Sequence, residues 1–352
     1  MKNTFPSFYK EFSCIADKCP DTCCAGWDVV LDKQSLDRYL NTDGKIGEKL
    51  RSVITVDEDG DDIFVSSCGR CPFLMQNNLC ELYSELGEES LCKTCAFFPR
   101  FVTDFGSRKE TGLSLSCPEV ARIVMEKSEP ITFYTEEEDG FPEPNSIDPT
   151  LYFTLLNVRK KAIDILQNRN YGIEERMIAF LRLCDNAHKA IRSGNEVLLE
   201  ADYKKTPFSP VRAKRAVNKY FDMLLSLEKL DPEWNNVLKA AKETSLTDYP
   251  QEAEIEYEHL AVYLVYRYLM TAVFDGKLLP KARFVALSFI AVRYIHSALP
   301  DISNKVDRIN AIQKFSKEIE HSALNLKNIF TAMKSSRFYS TENLINITEA
   351  TL

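Results

Sequence analysis

Cys14-Ile-Ala-Asp-Lys-Cys19-Pro-Asp-Thr-Cys23-Cys24-Ala-Gly-Trp27 puts four thiols in one short loop. Outward from it, Cys68, Cys71, Cys80, Cys92, Cys95 and Cys117 follow, so residues 14–117 hold ten of the eleven cysteines. No histidine occurs in that span; the first is His188. A dense all-thiolate set predicts a soft-metal site. Neighbouring Cys23 and Cys24 point in different directions, so one of the two is free to serve a second centre, to pack, or to face a substrate.

Disulfides are the competing use of so many thiols. The run Met1–Lys10 has no apolar core of the kind a secretory signal needs. That predicts a cytoplasmic protein, where structural disulfides are rare. A chain of 352 residues also buries a core large enough to dispense with covalent staples. The spacing favours metal as well. Cys68-Gly-Arg-Cys71 and Cys92-Lys-Thr-Cys95 are paired thiols two residues apart, which converge on one ion or cluster. Structural zinc commonly recruits histidine, which this segment lacks, so an iron–sulfur cluster is favoured and zinc is the alternative. Ten thiols exceed one zinc site; they suit one [4Fe–4S] cluster with extra structural cysteines, or two centres.

The first third of the chain resembles the flagellin lysine N-methylase family. The resemblance rests on Cys14-x4-Cys19-x3-Cys23-Cys24-Ala-Gly-Trp27 and on Cys80-Glu-Leu-Tyr-Ser-Glu-Leu-Gly-Glu-Glu-Ser-Leu-Cys92-Lys-Thr-Cys95. Phe98-Pro99-Arg100 and Leu113-Ser-Leu-Ser-Cys117-Pro118-Glu119 continue it. Cys71-Pro-Phe-Leu74, Cys80-x-x-Tyr83 and Cys95-x-x-Phe98-Pro99 are similar to the wider group of zinc- or iron-chelating proteins named for a CxxCxxCC motif. The resemblance implies an enzyme that moves a methyl group from S-adenosylmethionine to a protein lysine, with a [4Fe–4S] cluster taking part. Its implied substrate is flagellin or a similar surface protein with exposed lysines. The group-wide motifs favour Cys71, Cys80 and Cys95 as ligands, with one or more of Cys19, Cys23 and Cys24. Cys14, Cys68, Cys92 and Cys117 are left for a second site or for packing. Familiar alternatives are missing: there is no GxGxxG loop after a strand, no Asn-His-Ser motif of SET-type methylases, and no CxxxCxxC, because Gly26 stands at its third cysteine. A binding or electron-transfer module stabilised by metal is the second functional reading.

The formal net charge of −8 argues against a nucleic-acid binder. The most apolar stretches, His259–Phe274 and Phe284–Leu299, are short for a bilayer and carry Arg267 and Arg293, so no membrane span is expected. With only 12 glycines the chain leans helical. The reading is mainly α: a cysteine-rich, loop-dominated metal-binding domain over 1–140 with a few short strands, then an α-helical bundle over 150–352. The acidic, proline-containing run Glu136–Pro149 links them.

Locally, Trp27–Leu31 reads as a strand, and Asp32 as the cap of a helix over Lys33–Leu40. Residues 41–62 read as loop around a strand-like Arg51–Val56, and Ile63–Val65 as a strand. Cys80–Cys95 reads as one or two helical turns, Arg100–Thr111 as a hairpin, and Pro118 as the first turn of a helix. Helical stripes run over Tyr152–Leu166 and Ile173–His188. Ser209-Pro210 and Asp231-Pro232 open two more helices, the two apolar stretches form buried central ones, and Asn304–Lys334 is a final helix or pair.

Candidates for chemistry lie in both halves. Trp27 and Arg100 adjoin ligand runs and are candidate shapers of a cofactor site. Arg267, Arg293 and Tyr266 are candidate catalytic residues; the two arginines could anchor the carboxylate of S-adenosylmethionine, or pair structurally with Glu254, Glu256 or Glu258. His296 follows Arg293 by one turn and has the same two readings. Tyr257, Tyr263, Tyr266, Tyr268 and Tyr294 could desolvate a substrate lysine, or simply fill core. Cys184 and His188 have metal-binding spacing but continue a core stripe. Arg212, Lys214, Arg215 and Lys219 read as a solvated helix face.

Overall fold

The computed structural model describes residues 1–58, 60–65, 69–140, 146–204, 209–335 and 337–350. Cys68 and residues 141–145 of the acidic run therefore lie outside the described residues. The chain is mainly helical, with its strands in the first 140 residues.

The first strand, β1 (Lys2–Pro6), is followed by β2 (Val29–Val30), α1 (Lys33–Leu40), α2 (Gly44–Val53), β3 (Ile54–Val56) and β4 (Asp62–Phe64). Next come α3 (Glu81–Leu86), α4 (Lys93–Phe97), β5 (Arg100–Asp104), β6 (Arg108–Leu113), α5 (Pro118–Glu126) and β7 (Phe133–Glu137). Asp32 caps α1 as its chemistry requires: its carboxylate accepts from the Ser35 amide. β5 and β6 form the expected hairpin, with Arg100 opposite Leu113. They belong to a four-stranded sheet ordered β5-β6-β1-β7, in which β1 runs parallel to β6 and antiparallel to β7. Glu136 and Glu137, read from sequence as linker, pair in β7 with Asn3 and Lys2. A small antiparallel sheet is ordered β2-β4-β3.

One expectation fails between residues 41 and 62. Gly44–Val53, the middle of that stretch, is α2, not loop. Ile46 and Leu50 recur one turn apart and bury against Tyr39, Phe64 and Phe73, so apolar burial outweighs the polar, glycine-bearing composition. This small core also contains Val29, Leu31, Leu82 and Cys92, with Cys71, Cys80 and Cys95 half-buried against it.

The helical part comprises α6 (Pro149–Leu166), α7 (Ile173–Ser193), α8 (Pro210–Ser226), α9 (Trp234–Glu243), α10 (Gln251–Tyr268), α11 (Ala272–Asp275) and α12 (Leu278–Ser297). It closes with α13 (Lys305–Glu320), α14 (Ala323–Ser335) and α15 (Thr341–Glu349). Ser209 caps α8 by accepting from the Arg212 amide, and Pro210 sits in its first turn. α10 and α12 are buried nearly all round, as their composition requires. Asn304–Lys334 is a pair of helices but not the last element: α15 follows and packs on α7 and α8. The helix expected after Asp231-Pro232 begins at Trp234.

The main core runs from Phe8 to Ile347. It joins residues of β6 and α5 to the helices, so the four-stranded sheet sits on the bundle. Tyr266 of α10 makes one joint, its hydroxyl donating to the Thr4 carbonyl at 2.6 Å. The division at 136–149 remains our proposal from sequence.

Candidate functional site

Two backbone arrangements gather the thiols. In the first, Gln313 of α13 reaches out with its side-chain amide. It donates to Asp21 Oδ2 at 2.9 Å and to the Ser116 carbonyl at 2.7 Å. Lys317, one turn on, pairs with the same Asp21 carboxylate at 2.8 Å. Cys19 and Cys23 flank Asp21 and Cys117 follows Ser116, so the clamp brings the loop thiols to the start of α5. Cys14 is an electrostatic neighbour of Cys19, Cys23 and Cys117. In the second, the Cys71 amide donates to the Cys24 carbonyl at 2.8 Å, and Ala25 bridges to Arg70. A further bridge joins Leu74 to Cys80, and Cys92 and Cys95 lie on the same small core. The Cys95 thiol is in electrostatic reach of Cys24 and Cys71.

The two sets meet where the Cys23 thiol hydrogen-bonds to Cys24. That bond pushes the Cys23 thiol up and the Cys24 thiol down. The Cys92–Cys95 hydrogen bond likewise lowers Cys92 and raises Cys95. Burial pushes Cys71 up to about 12 and Cys117 up to about 11. Half-buried thiolates that face one another repel, and a bound cation offsets that repulsion. The donor chemistry therefore fits a thiophilic centre. Among the described residues, however, no three His, Cys, Asp or Glu side chains stand together closely enough to hold a single metal ion. The thiols are gathered but not drawn into one ion's coordination shell.

Beside the first set lies an aromatic and polar junction between the cysteine segment and the helices. Trp27 stacks on His321 with ring centres 4.7 Å apart, and Phe98 lies 5.8 Å from Trp27 and 5.7 Å from His321. The Lys317 ammonium stands 5.2 Å over the Trp27 ring. His321 pairs through Nε2 with the Ser116 hydroxyl at 2.5 Å, and Ser116 with Ser114 at 2.9 Å. Arg267 donates to Ser114 at 2.9 Å and to the Tyr263 hydroxyl at 2.5 Å. Tyr263 and Tyr268 donate to Glu320 Oε2 at 2.9 and 2.8 Å, and Arg267 lies 3.2 Å from the same oxygen. A continuous hydrogen-bonded chain thus runs from His321 to Glu320. Burial, with the nearby Arg267 and Lys317 charges, lowers His321 to about 4, so its imidazole is neutral near pH 7.

The sequence-nominated residues separate accordingly. Trp27 and Arg267 both join this junction. Arg100 instead stands 5.7 Å over the Phe12 ring at the start of β5. Tyr266 stacks on Phe133 and braces the sheet. Arg293 is buried 4.2 Å over the Tyr249 ring, with Glu174 at 3.6 Å. The arginines do not pair with Glu254, Glu256 or Glu258; Arg176, Arg169 and Arg308 take those carboxylates. His296 accepts from the Tyr257 hydroxyl at Nδ1 (2.9 Å) and donates from Nε2 to the Arg308 carbonyl (3.1 Å), a fully used core histidine. Cys184 is 0 % exposed, in keeping with the core reading. His321, Gln313, Lys317 and Glu320 were not nominated from sequence; they reach the cysteine loop only through tertiary packing, and their one local signal is polar side chains along α13 and at its C-terminal end. Ser116 lies inside the Leu113–Glu119 motif, which gave it no role of its own.

Fold and site together define a mainly helical protein with a thiol-rich N-terminal segment docked on it through a stacked Trp–His pair. The chain belongs to the FliB lysine N-methylase family: the family model described as FliB lysine N-methylase C-terminal domain matches residues 159–347. That match lies in the helical part, where no sequence motif stands out. Among curated relatives, the chain is 32% identical over 134 residues to the flagellar biosynthetic protein FliU of Salmonella muenchen, covering 35% of this chain and 76% of that one. It is 25% identical over 211 residues to a lysine-N-methylase of Salmonella typhimurium, covering 56% of this chain and 51% of that one. A lysine-N-methylase of Salmonella choleraesuis matches over the same length at the same identity. The chain thus spans about half the length of these lysine-N-methylases. No solved structure matches it. No described helix is long and apolar enough to cross a membrane.

Proposed function

We propose that this protein is a protein-lysine N-methyltransferase that uses S-adenosylmethionine, with flagellin or a similar surface protein as substrate and a [4Fe–4S] cluster taking part. One observation carries the reading: in a chain of the FliB lysine N-methylase family, the gathered thiols abut the Trp27–His321 junction. A bound cluster would supply redox and sulfonium-binding chemistry beside that junction. The thiols that would hold it are drawn from Cys14, Cys19, Cys23, Cys24, Cys71, Cys80, Cys92, Cys95 and Cys117.

The remaining work falls to the chain's own side chains. The lysine must be a neutral amine to accept a methyl group, because its ammonium has no lone pair. An aromatic face both attracts a cation and withdraws it from water, which lowers an ammonium's pKa. Trp27 already holds one ammonium, that of Lys317, at 5.2 Å. Neutral His321 offers a ring nitrogen able to take up a proton at that face, and the Ser116–Ser114 hydroxyl pair hydrogen-bonds to it.

The test uses protein purified without oxygen and assayed for iron, sulfide and zinc. The loaded protein is then incubated with S-adenosylmethionine and flagellin and read by intact mass spectrometry. Methyl increments on flagellin lysines that require both the metal and S-adenosylmethionine are the expected result. Loaded protein that neither binds S-adenosylmethionine nor methylates flagellin would replace this reading with that of a metal-stabilised binding module.

A further inference from the structure

We infer that the open edge of β5 is a docking site for an extended, lysine-bearing segment of the substrate polypeptide, which joins the sheet as a fifth strand and carries its lysine to the Trp27–His321 junction. The inference rests on the proposed methylation of a protein lysine and names how that substrate is held, by its backbone. Main-chain hydrogen bonds recognise an added strand largely apart from its side chains, so lysines in different sequence contexts are admitted.

β5 ends the order β5-β6-β1-β7, so one side of it has no strand neighbour among the described residues. The phase of the ladder fixes which groups lie on that side. The Ser114 amide donates to the Pro99 carbonyl at 2.7 Å, and the Phe105 amide to the Arg108 carbonyl at 2.8 Å. Bonded pairs alternate along an antiparallel ladder, so the bonded partners between them are Phe101–Gly112 and Thr103–Glu110. The amides and carbonyls of Arg100, Val102 and Asp104 therefore point away from β6, and no described group bonds them. Val102, at the centre, is 45% exposed. The strand is firmly held from behind. A Cβ on Gly112 would fall 2.3 Å from the Phe101 ring, which lies across that glycine, and Arg267 stands 4.6 Å over the same ring. An edge fixed in this way loses little freedom when a partner pairs with it.

What occupies the edge follows from where it leads. Arg100 is two residues from Phe98 in the chain, and the Phe98 ring lies 5.8 Å from Trp27 and 5.7 Å from His321. At about 3.3 Å per residue, a lysine two or three residues beyond the paired segment reaches that junction. Exposed carboxylates stand at both ends of the run, Asp104 on the strand and Asp28 next to Trp27, which suits a cationic segment. The Arg100 guanidinium is turned onto the Phe12 ring. The opposite edge, β7, lies three strand spacings, about 14 Å, across the sheet and does not lead to the junction.

The probe is purified flagellin, added in excess to the full-length chain purified without oxygen. Amide hydrogen exchange is read by mass spectrometry at residue resolution. The Arg100, Val102 and Asp104 amides should slow about tenfold or more, while Phe101 and Thr103, already bonded to β6, change little. Val102→Pro removes the central outward donor and leaves the β6 ladder in place. It should weaken flagellin binding about tenfold, the upper range for one hydrogen bond. Thr135→Pro is the matched control: the Ser7 amide bonds the Thr132 carbonyl, so by the same alternation Thr135 points outward on β7. Its affinity should equal the wild type's. Far-UV circular dichroism verifies that both variants fold, and the protection measurement on the wild type needs neither. Flagellin that leaves the β5 amides exchanging as in the free chain overturns the inference, as does equal weakening by the two prolines. Methylation of flagellin without protection of β5 overturns this inference alone, whereas protection of β5 without methyl transfer overturns the proposed function alone.

Discussion

Both hydrogens of the Gln313 side-chain amide are in use, one on Asp21 and one on the Ser116 carbonyl. Gln313→Glu keeps the shape but replaces the NH2 and its two donors by one oxygen that faces both a carboxylate and a carbonyl. An unsatisfied buried polar group costs about 1–3 kcal/mol. We expect a loss of that size in denaturant unfolding. An unchanged unfolding midpoint would show that the clamp carries no stability. Trp27 gives a second residue-scale prediction. If its face holds a cationic group during methyl transfer, Trp27→Ala should lower kcat/KM about tenfold or more, and Trp27→Phe should retain most of it. Equal activity of the two variants would leave Trp27 with packing alone. Of the site, the cysteines and Trp27 were legible because their density and adjacency lie in one local stretch. Gln313, Lys317 and His321 were not, since each reads as an ordinary polar helix residue until α13 is laid against the loop.

At the scale of elements, α2 shows why local composition misleads. Glycine in a helix normally costs about 1 kcal/mol relative to alanine, so Gly47→Ala would ordinarily stabilise. Here a Cβ at position 47 would fall 1.9 Å from the Thr42 carbonyl oxygen, which is backbone and cannot swing away. The same oxygen accepts from Arg51 at 2.8 Å, holding the turn against the helix. Gly47→Ala should therefore destabilise by about 1–3 kcal/mol, the range of forced overpacking, as read by thermal melting. A raised melting temperature would contradict the close approach. The glycines and charges that made residues 41–62 look like loop are what this contact needs. By contrast α7, α10 and α12 were legible because their burial is continuous and their periodicity local. β1 and β7 were hidden for the opposite reason: their pairing spans more than a hundred residues, and β7 ends inside an acidic run that reads as linker.

Across the whole molecule, α10 is where buried charge converges. Its Glu254 and Glu258 hold Arg176 of α7, its Glu256 holds Arg308 of α13, and its Arg267 meets Glu320. Such pairs add little net stability, but removing one partner strands the other and typically costs about 3–5 kcal/mol. Glu256→Ala should show a loss of that order, since Arg308 is 0 % exposed. His296 belongs to the same knot, between Tyr257 of α10 and the Arg308 carbonyl. Burial, then the Arg308 and Arg293 charges, lowers it from 6.5 to about 3, although its hydrogen bond to the Arg308 carbonyl works the other way. Folded His296 thus binds its proton more weakly than the unfolded chain does. Below about pH 6.5 the unfolded state takes up more protons, so this histidine's contribution is intact above that pH and is lost as pH falls toward 3. The full loss is on the order of a few kcal/mol, because each tenfold weakening of proton binding corresponds to about 1.4 kcal/mol. Buried carboxylates such as Glu256, raised chiefly by burial, titrate with the opposite sign, so the comparison has to be made against a variant and not on the wild type alone. His296→Gln keeps a donor and an acceptor but cannot charge. Its stability should fall less steeply than the wild type's between pH 6.5 and 4, and the two denaturant-unfolding curves should converge in acid. Parallel pH profiles would mean that the acid sensitivity of the knot resides elsewhere, with His321 the next histidine to replace, its value near 4 lying inside the same window.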